Sequence, residues 1–169
     1  VGTAAVGIRL LIVGVKSGGS FVPADLAGTW QFFSGIPGAG WTRGHLTFNS
    51  TGLVTGGQSG DAATPGQLAN PILGGSVLQS PDGTLATGFL ITAAGGTDTV
   101  QGGALSPTRR AGVVVGTTAD GRPFLTLALK PDGTYLPGDL AGTWQAYALI
   151  AAGAGPGWAQ GTITLNDVG

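Results

Sequence analysis

The sequence predicts an all-β protein built as an antiparallel meander, about eight strands per repeat unit, closed into an up-and-down barrel; a two-sheet sandwich is the alternative. Three observations carry this. The chain has 34 Gly and 10 Pro in 169 residues and no Glu, so turns are dense and long amphipathic helices are disfavoured. Turn signals recur at short spacing, in Ser17-Gly18-Gly19, Pro37-Gly38, Ser50-Thr51-Gly52, Pro81-Asp82-Gly83, Gly95-Gly96, Asp120-Gly121 and Pro131-Asp132-Gly133. Between them, apolar residues alternate with polar ones, the period of a half-buried strand.

The segments follow in order. Leu125, Leu127 and Leu129 alternate with Thr126, Ala128 and Lys130, and Leu11, Val13 and Val15 occupy the corresponding positions of the first copy; both trios read as inward-facing core. Leu46 and Phe48 alternate with His45, Thr47 and Asn49, and Ile163 and Leu165 with Thr162, Thr164 and Asn166. Short loops joining such strands favour a meander, and closure removes the edges that a flat sheet would expose.

The segment from Pro23 to Gln31 returns from Pro137 to Gln145, so that Trp30 maps to Trp144, an offset of 114; Trp41 maps to Trp158, an offset of 117 after a three-residue insertion. This self-similarity implies that residues 1–23 carry the closing strands of a preceding repeat, 24–137 one complete repeat, and 138–169 the opening strands of the next. Head and tail amount to about half a barrel. Each needs a sheet to join, supplied by a longer parent chain or by strand addition between subunits in a filament.

Composition narrows the functions. A formal charge of −1 gives no basic footprint for nucleic acid, and no apolar run approaches the roughly 20 residues of a transmembrane helix. A mean hydropathy of +0.32 and 42% hydrophobic residues argue for a packed core rather than disorder. Strand faces rich in Thr, Ser, Gln and Asn suggest an extracellular or cell-surface setting.

Chemistry-bearing candidates are sparse. His45 is the only histidine, and its counterpart is Thr162. Asp82, Asp120 and Asp132 each precede Gly without a calcium-loop series, and read as turn residues. Gly153-Ala154-Gly155-Pro156-Gly157 lacks a following helix and reads as a loop, not a phosphate cradle. Asn49-Ser50-Thr51 is a glycosylation sequon that reads as a turn, and Arg109-Arg110 read as adjacent strand residues facing opposite ways. No catalytic, metal-binding or cofactor-binding residue is assigned, no cofactor is expected, and an enzyme is disfavoured. The residues shared between copies, Lys16 with Lys130, Asp25 with Asp139, Trp30 with Trp144 and Trp41 with Trp158, are assigned structural roles. Asp sits at the entry turn, Trp plugs a barrel end, and Lys closes over it by cation–π contact.

Ala27-Gly28-Thr29-Trp30 opening a strand, with Gly52-Leu53-Val54-Thr55-Gly56 after the hairpin, resembles the start of calycin-type barrels, the lipocalins and especially the avidins. The resemblance implies an eight-stranded barrel. It does not imply biotin binding, because Phe32 and Phe33 stand where avidins place polar ligand-holding side chains. The leading expectation is a tandem-repeat bacterial surface protein with a structural or adhesive role, self-associating or packed against copies of its own repeat in a fibre, stalk or surface layer. The alternative is a small-molecule or glycan binding module, favoured by an internal cavity with converging polar groups.

Overall fold

The computed structural model describes residues 2–3, 9–16, 18–92, 96–131, 141–150 and 157–166. Eight strands close into one antiparallel barrel: β3 (Gly28–Ile36), β4 (Gly40–Phe48), β5 (Leu53–Asp61), β6 (Asn70–Gln79), β7 (Thr84–Thr92), β8 (Gly96–Leu105), β9 (Ala111–Thr117) and β10 (Pro123–Leu129), with β10 returning to pair with β3. This is the up-and-down barrel that the alternation and turn spacing predict, and not the sandwich. A short 3-10 helix, Pro23–Leu26, precedes β3.

The turns form for local reasons. Asn49 Oδ1 accepts the Thr51 and Leu53 amides at 2.9 and 3.0 Å, closing the β4–β5 turn. In the β6–β7 turn, Asp82 Oδ1 accepts the Thr84 amide at 2.9 Å and Gly83 takes φ 86°, a conformation that side-chain-bearing residues rarely adopt. Curvature has its own requirement. At Gly44 and Gly116 an added Cβ would overlap the cross-strand carbonyls of Gln58 and Thr99, so the wall bends where it carries no side chain.

The remaining strands, β1 (Gly2–Thr3), β2 (Arg9–Lys16), β11 (Gly142–Ile150) and β12 (Gly157–Leu165), make a separate four-stranded sheet in the order β1-β2-β11-β12. Its registers copy those of the barrel seam. Leu11 faces Leu149 as Leu125 faces Gly35, Gly2 faces Leu10 as Gly116 faces Phe124, and Leu149 faces Trp158 as Gly35 faces Trp41. Sequence similarity is thus expressed as a second copy of the β9-β10-β3-β4 portion of the wall.

This sheet corrects the filament expectation: Leu10–Lys16 pairs with β11 and Gly161–Leu165 pairs with β11 as well, all within one chain. The segments expected to need a longer parent chain or a neighbouring subunit pair with each other instead. The sheet lies against the outside of the barrel, where Val15 and Tyr147 pack with Ala104, Val113, Val115 and Leu125 in a core of their own.

The facing of β10 is a second correction. Phe124, Thr126 and Ala128 line the barrel interior, while Leu125 points outward into the core shared with the sheet. Leu125 and Val15 are buried in corresponding places, but Leu127 and Leu129 are only half-buried and Leu11 is exposed. For Leu46 and Phe48 on β4 the expected inward facing holds.

One polar group is misplaced. The side-chain amide of Gln79 is buried with neither Nε2 nor Oε1 hydrogen-bonded. An unpaired buried amide costs about 1–3 kcal/mol, so Gln79→Met is expected to raise stability by about 1 kcal/mol in denaturant titrations. A loss of stability would show that the amide is bonded in solution.

Candidate functional site

The barrel interior is closed at one end and open at the other. At the closed end the 3-10 helix brings Leu26 beneath Trp30, whose indole Nε1 donates to the Leu26 carbonyl at 2.7 Å. Trp30 is 1% exposed and packs with Phe21, Leu85 and Leu105. The expected cation–π contact is present: Lys130 Nζ lies 4.9 Å from the Trp30 ring centroid, and it also donates to the Asp25 carbonyl at 2.8 Å.

Asp25 ties this plug to the wall. Its carboxylate accepts the Val22 amide at 2.9 Å and pairs with Arg109 Nε at 2.8 Å. Desolvation opposes its charge, but the Val22 N–H, the Arg109 guanidinium and the Lys130 ammonium outweigh that and hold the carboxyl below its ordinary range. Arg109 sits in the β8–β9 loop with φ 59°, donates to the Ser20 carbonyl at 3.0 Å and lies 5.6 Å from the Phe21 ring centroid. The expectation of a strand residue is corrected: Arg109 is a loop residue clamping the base.

Above the plug, a cavity of about 200 Å3 runs up the barrel axis. Its deep wall is apolar, with Phe32, Leu46, Phe48, Val77, Leu85 and Val114. Its upper wall is polar. Seven of the eight strands contribute one polar side chain near the end remote from Trp30, Ser34, Thr42, Ser59, Asn70, Thr92, Asp98 and Thr126, and the turn directly after β9 adds Thr118. Ser34 and Thr126 are buried and bonded to each other across the seam, whereas the other six are half-buried, which marks this end as the mouth.

Among the described residues, Asp98 is the only ionisable one lining the cavity. Its Oδ1 accepts the Ala119 amide at 3.0 Å. Burial raises its pKa above the ordinary carboxylate value; the Ala119 bond offsets this in part, and the nearby Asp120 charge adds to the rise.

The other sequence candidates lie elsewhere. Trp41 is on the outer wall beside Phe33, both exposed. Trp158 packs on the barrel exterior and donates to Gln101 Oε1 at 3.0 Å, while Trp144 is half-buried on β11 opposite Lys16. Asp139, Asp132 and the loop at 151–156 lie outside the described residues. His45 faces outward between Gln31 and Gln58 on the neighbouring strands, and Asp120 pairs with Arg122 at 2.9 Å in its turn. The polar ring was missed in the sequence because no two of its members are adjacent along the chain. Their signal was parity: each occupies an inward position near the same end of its strand.

No family model and no curated protein matches the chain. Solved structures do. A redesigned β-barrel, mFAP1 bound to DFHBI, matches with a TM-score of 0.51 and 18% identity over 64% of this chain and 98% of its own. Another redesigned barrel matches with a TM-score of 0.48 and 17% identity over 68% of this chain and 100% of its own. A de novo designed fluorescence-activating barrel gives 0.46 and 16% over 65% and 98%. The mFAP1 likeness is one of fold. It replaces the resemblance to a tandem-repeat bacterial surface protein, because what is matched is a lone small barrel.

The fibre, stalk or adhesive function and its self-associating partners are corrected with it. They rested on repeated domains without repeated reactive residues and on head and tail strands that needed a sheet to join; here the barrel closes on itself and those strands pair within the chain.

Proposed function

We propose that the protein is a small-molecule binding barrel, taking an apolar ligand through the polar mouth into the cavity above Trp30. The observation that carries the reading is the polarity gradient of that cavity, with an aliphatic and aromatic blind end and eight polar side chains around the opening. Apolar walls supply affinity, and a few convergent polar groups fix orientation. A glycan is the poorer occupant, since its hydroxyls would lose water against Phe32, Leu46 and Val77 without gaining partners. The likeness to a barrel solved with the small molecule DFHBI supports the same reading.

Binding without turnover is part of the proposal. The polar lining consists of hydroxyls, one amide and one carboxylate, and the single histidine sits on the outer wall.

The cavity lies below the roughly 300–1,000 Å3 of pockets for drug-sized ligands, so the occupant is of about two fused rings. Calorimetric titration with naphthylmethanol tests this, alongside the variant Val114→Phe, which fills the wall midway. Binding by the parent protein and its loss in a folded Val114→Phe variant are the expected results. Equal binding by both would place the ligand outside the barrel.

A further inference from the structure

We propose that the ligand carries a cationic amine on its apolar body, with the ammonium seated on Asp98 at the cavity mouth. This rests on the binding reading above and deepens it to a ligand class.

The placement of charge is the argument. Seven of the eight polar side chains around the opening are hydroxyls or an amide, which accept and donate alike and do not discriminate by charge. Asp98 discriminates. It stands on β8 opposite Leu90 of β7, beside Thr118 and one turn of side-chain alternation above the buried Val100, so an apolar body in the cavity brings its upper end to the carboxylate.

One oxygen of Asp98 accepts the Ala119 amide, and among the described residues the carboxylate has no cationic partner. The charged groups around it make the mouth more negative. Asp120 in the β9–β10 turn adds a like charge and already occupies Arg122, while Asp61 at the end of β5 is held by the Ala63 and Thr64 amides. Arg43 is on the outward parity of β4, next to Trp41 and Phe33 on the outer wall.

A neutral occupant would strip water from Asp98 and return at most a hydroxyl hydrogen bond without a compensating charge. An ammonium replaces that water with a charge-assisted hydrogen bond, the strong kind, in a partly desolvated place. An anion meets repulsion. Charge selection at the rim therefore follows from a single carboxylate.

The test uses three probes sharing one ring system: naphthylmethylamine, naphthylmethanol and naphthoate, titrated calorimetrically into the whole protein at neutral pH and low salt. The ammonium is expected to bind about tenfold or more tightly than the alcohol, and the carboxylate more weakly than either. Asp98→Asn, which keeps an oxygen for the Ala119 amide, is expected to abolish the preference for the amine over the alcohol. Equal binding of amine and alcohol by the parent protein overturns the amine proposal while the binding reading stands. Failure of all three probes overturns both. The parent protein's preference decides the matter even if Asp98→Asn does not fold.

Discussion

Truncation of Trp30 to Ala is expected to destabilise the protein by about 3–5 kcal/mol, the largest effect of any single substitution in the barrel. The residue is 1% exposed and forms the floor of the cavity, so removal leaves a void beside Phe21, Leu85 and Leu105 that the closed wall cannot collapse into. Two further losses accompany the void: the Leu26 carbonyl loses its indole donor and the Lys130 ammonium loses its ring. Trp30→Phe separates these contributions, since it restores most of the volume but not the hydrogen bond, and is expected to cost less than half as much. Urea titration followed by circular dichroism measures both. A Trp30→Ala variant within 1 kcal/mol of the parent, to the nearest order of magnitude a surface effect, would show that the base is not a packed plug.

Leu125→Ala is expected to cost about 2–5 kcal/mol, and Leu127→Ala distinctly less. The two leucines share a strand face, yet only Leu125 is fully buried, between Val113, Val115, Val15 and Tyr147. Its truncation opens a gap between the barrel and the companion sheet and leaves the cavity lining intact. Stability is therefore expected to fall while naphthylmethanol binding persists under native conditions. Equal costs at Leu125 and Leu127 would mean that the sheet does not dock on this face in solution.

The contrast between those leucines shows where the sequence was legible. Along β4, Leu46 and Phe48 alternate with His45 and Thr47, which face outward half-buried, and the alternation alone assigns inside and outside correctly. Along β10 the run Phe124-Leu125-Thr126-Leu127-Ala128-Leu129 is apolar on both faces, because one face lines the cavity and the other lies toward the sheet. A strand covered on both sides loses its alternation signal, and the more uniform leucine face is then mistaken for the interior. Lys130 over Trp30 was legible because both residues recur in the second copy at fixed spacing. Asp98 was not. A solitary carboxylate in a strand carries no motif, and only the curvature of the closed wall sets it beside Thr118 above an apolar floor.

The duplicated seam has a kinetic consequence. In the native chain β3 pairs with β10 from the far end of the barrel, whereas β2 lies immediately upstream of β3 and presents the same register-determining pattern that β10 does. A β2–β3 hairpin closes a much shorter loop than the β10–β3 seam, and short-range pairings form first. During refolding β2 is thus a decoy for the partner that β3 must finally take, and β10 is free meanwhile to engage β11. Refolding from urea is expected to split into a fast phase that reaches the barrel directly and a slower one limited by unpairing of the decoy hairpin. Weakening β2 by Val13→Gly should shrink the slow amplitude while the native β10–β3 seam remains untouched.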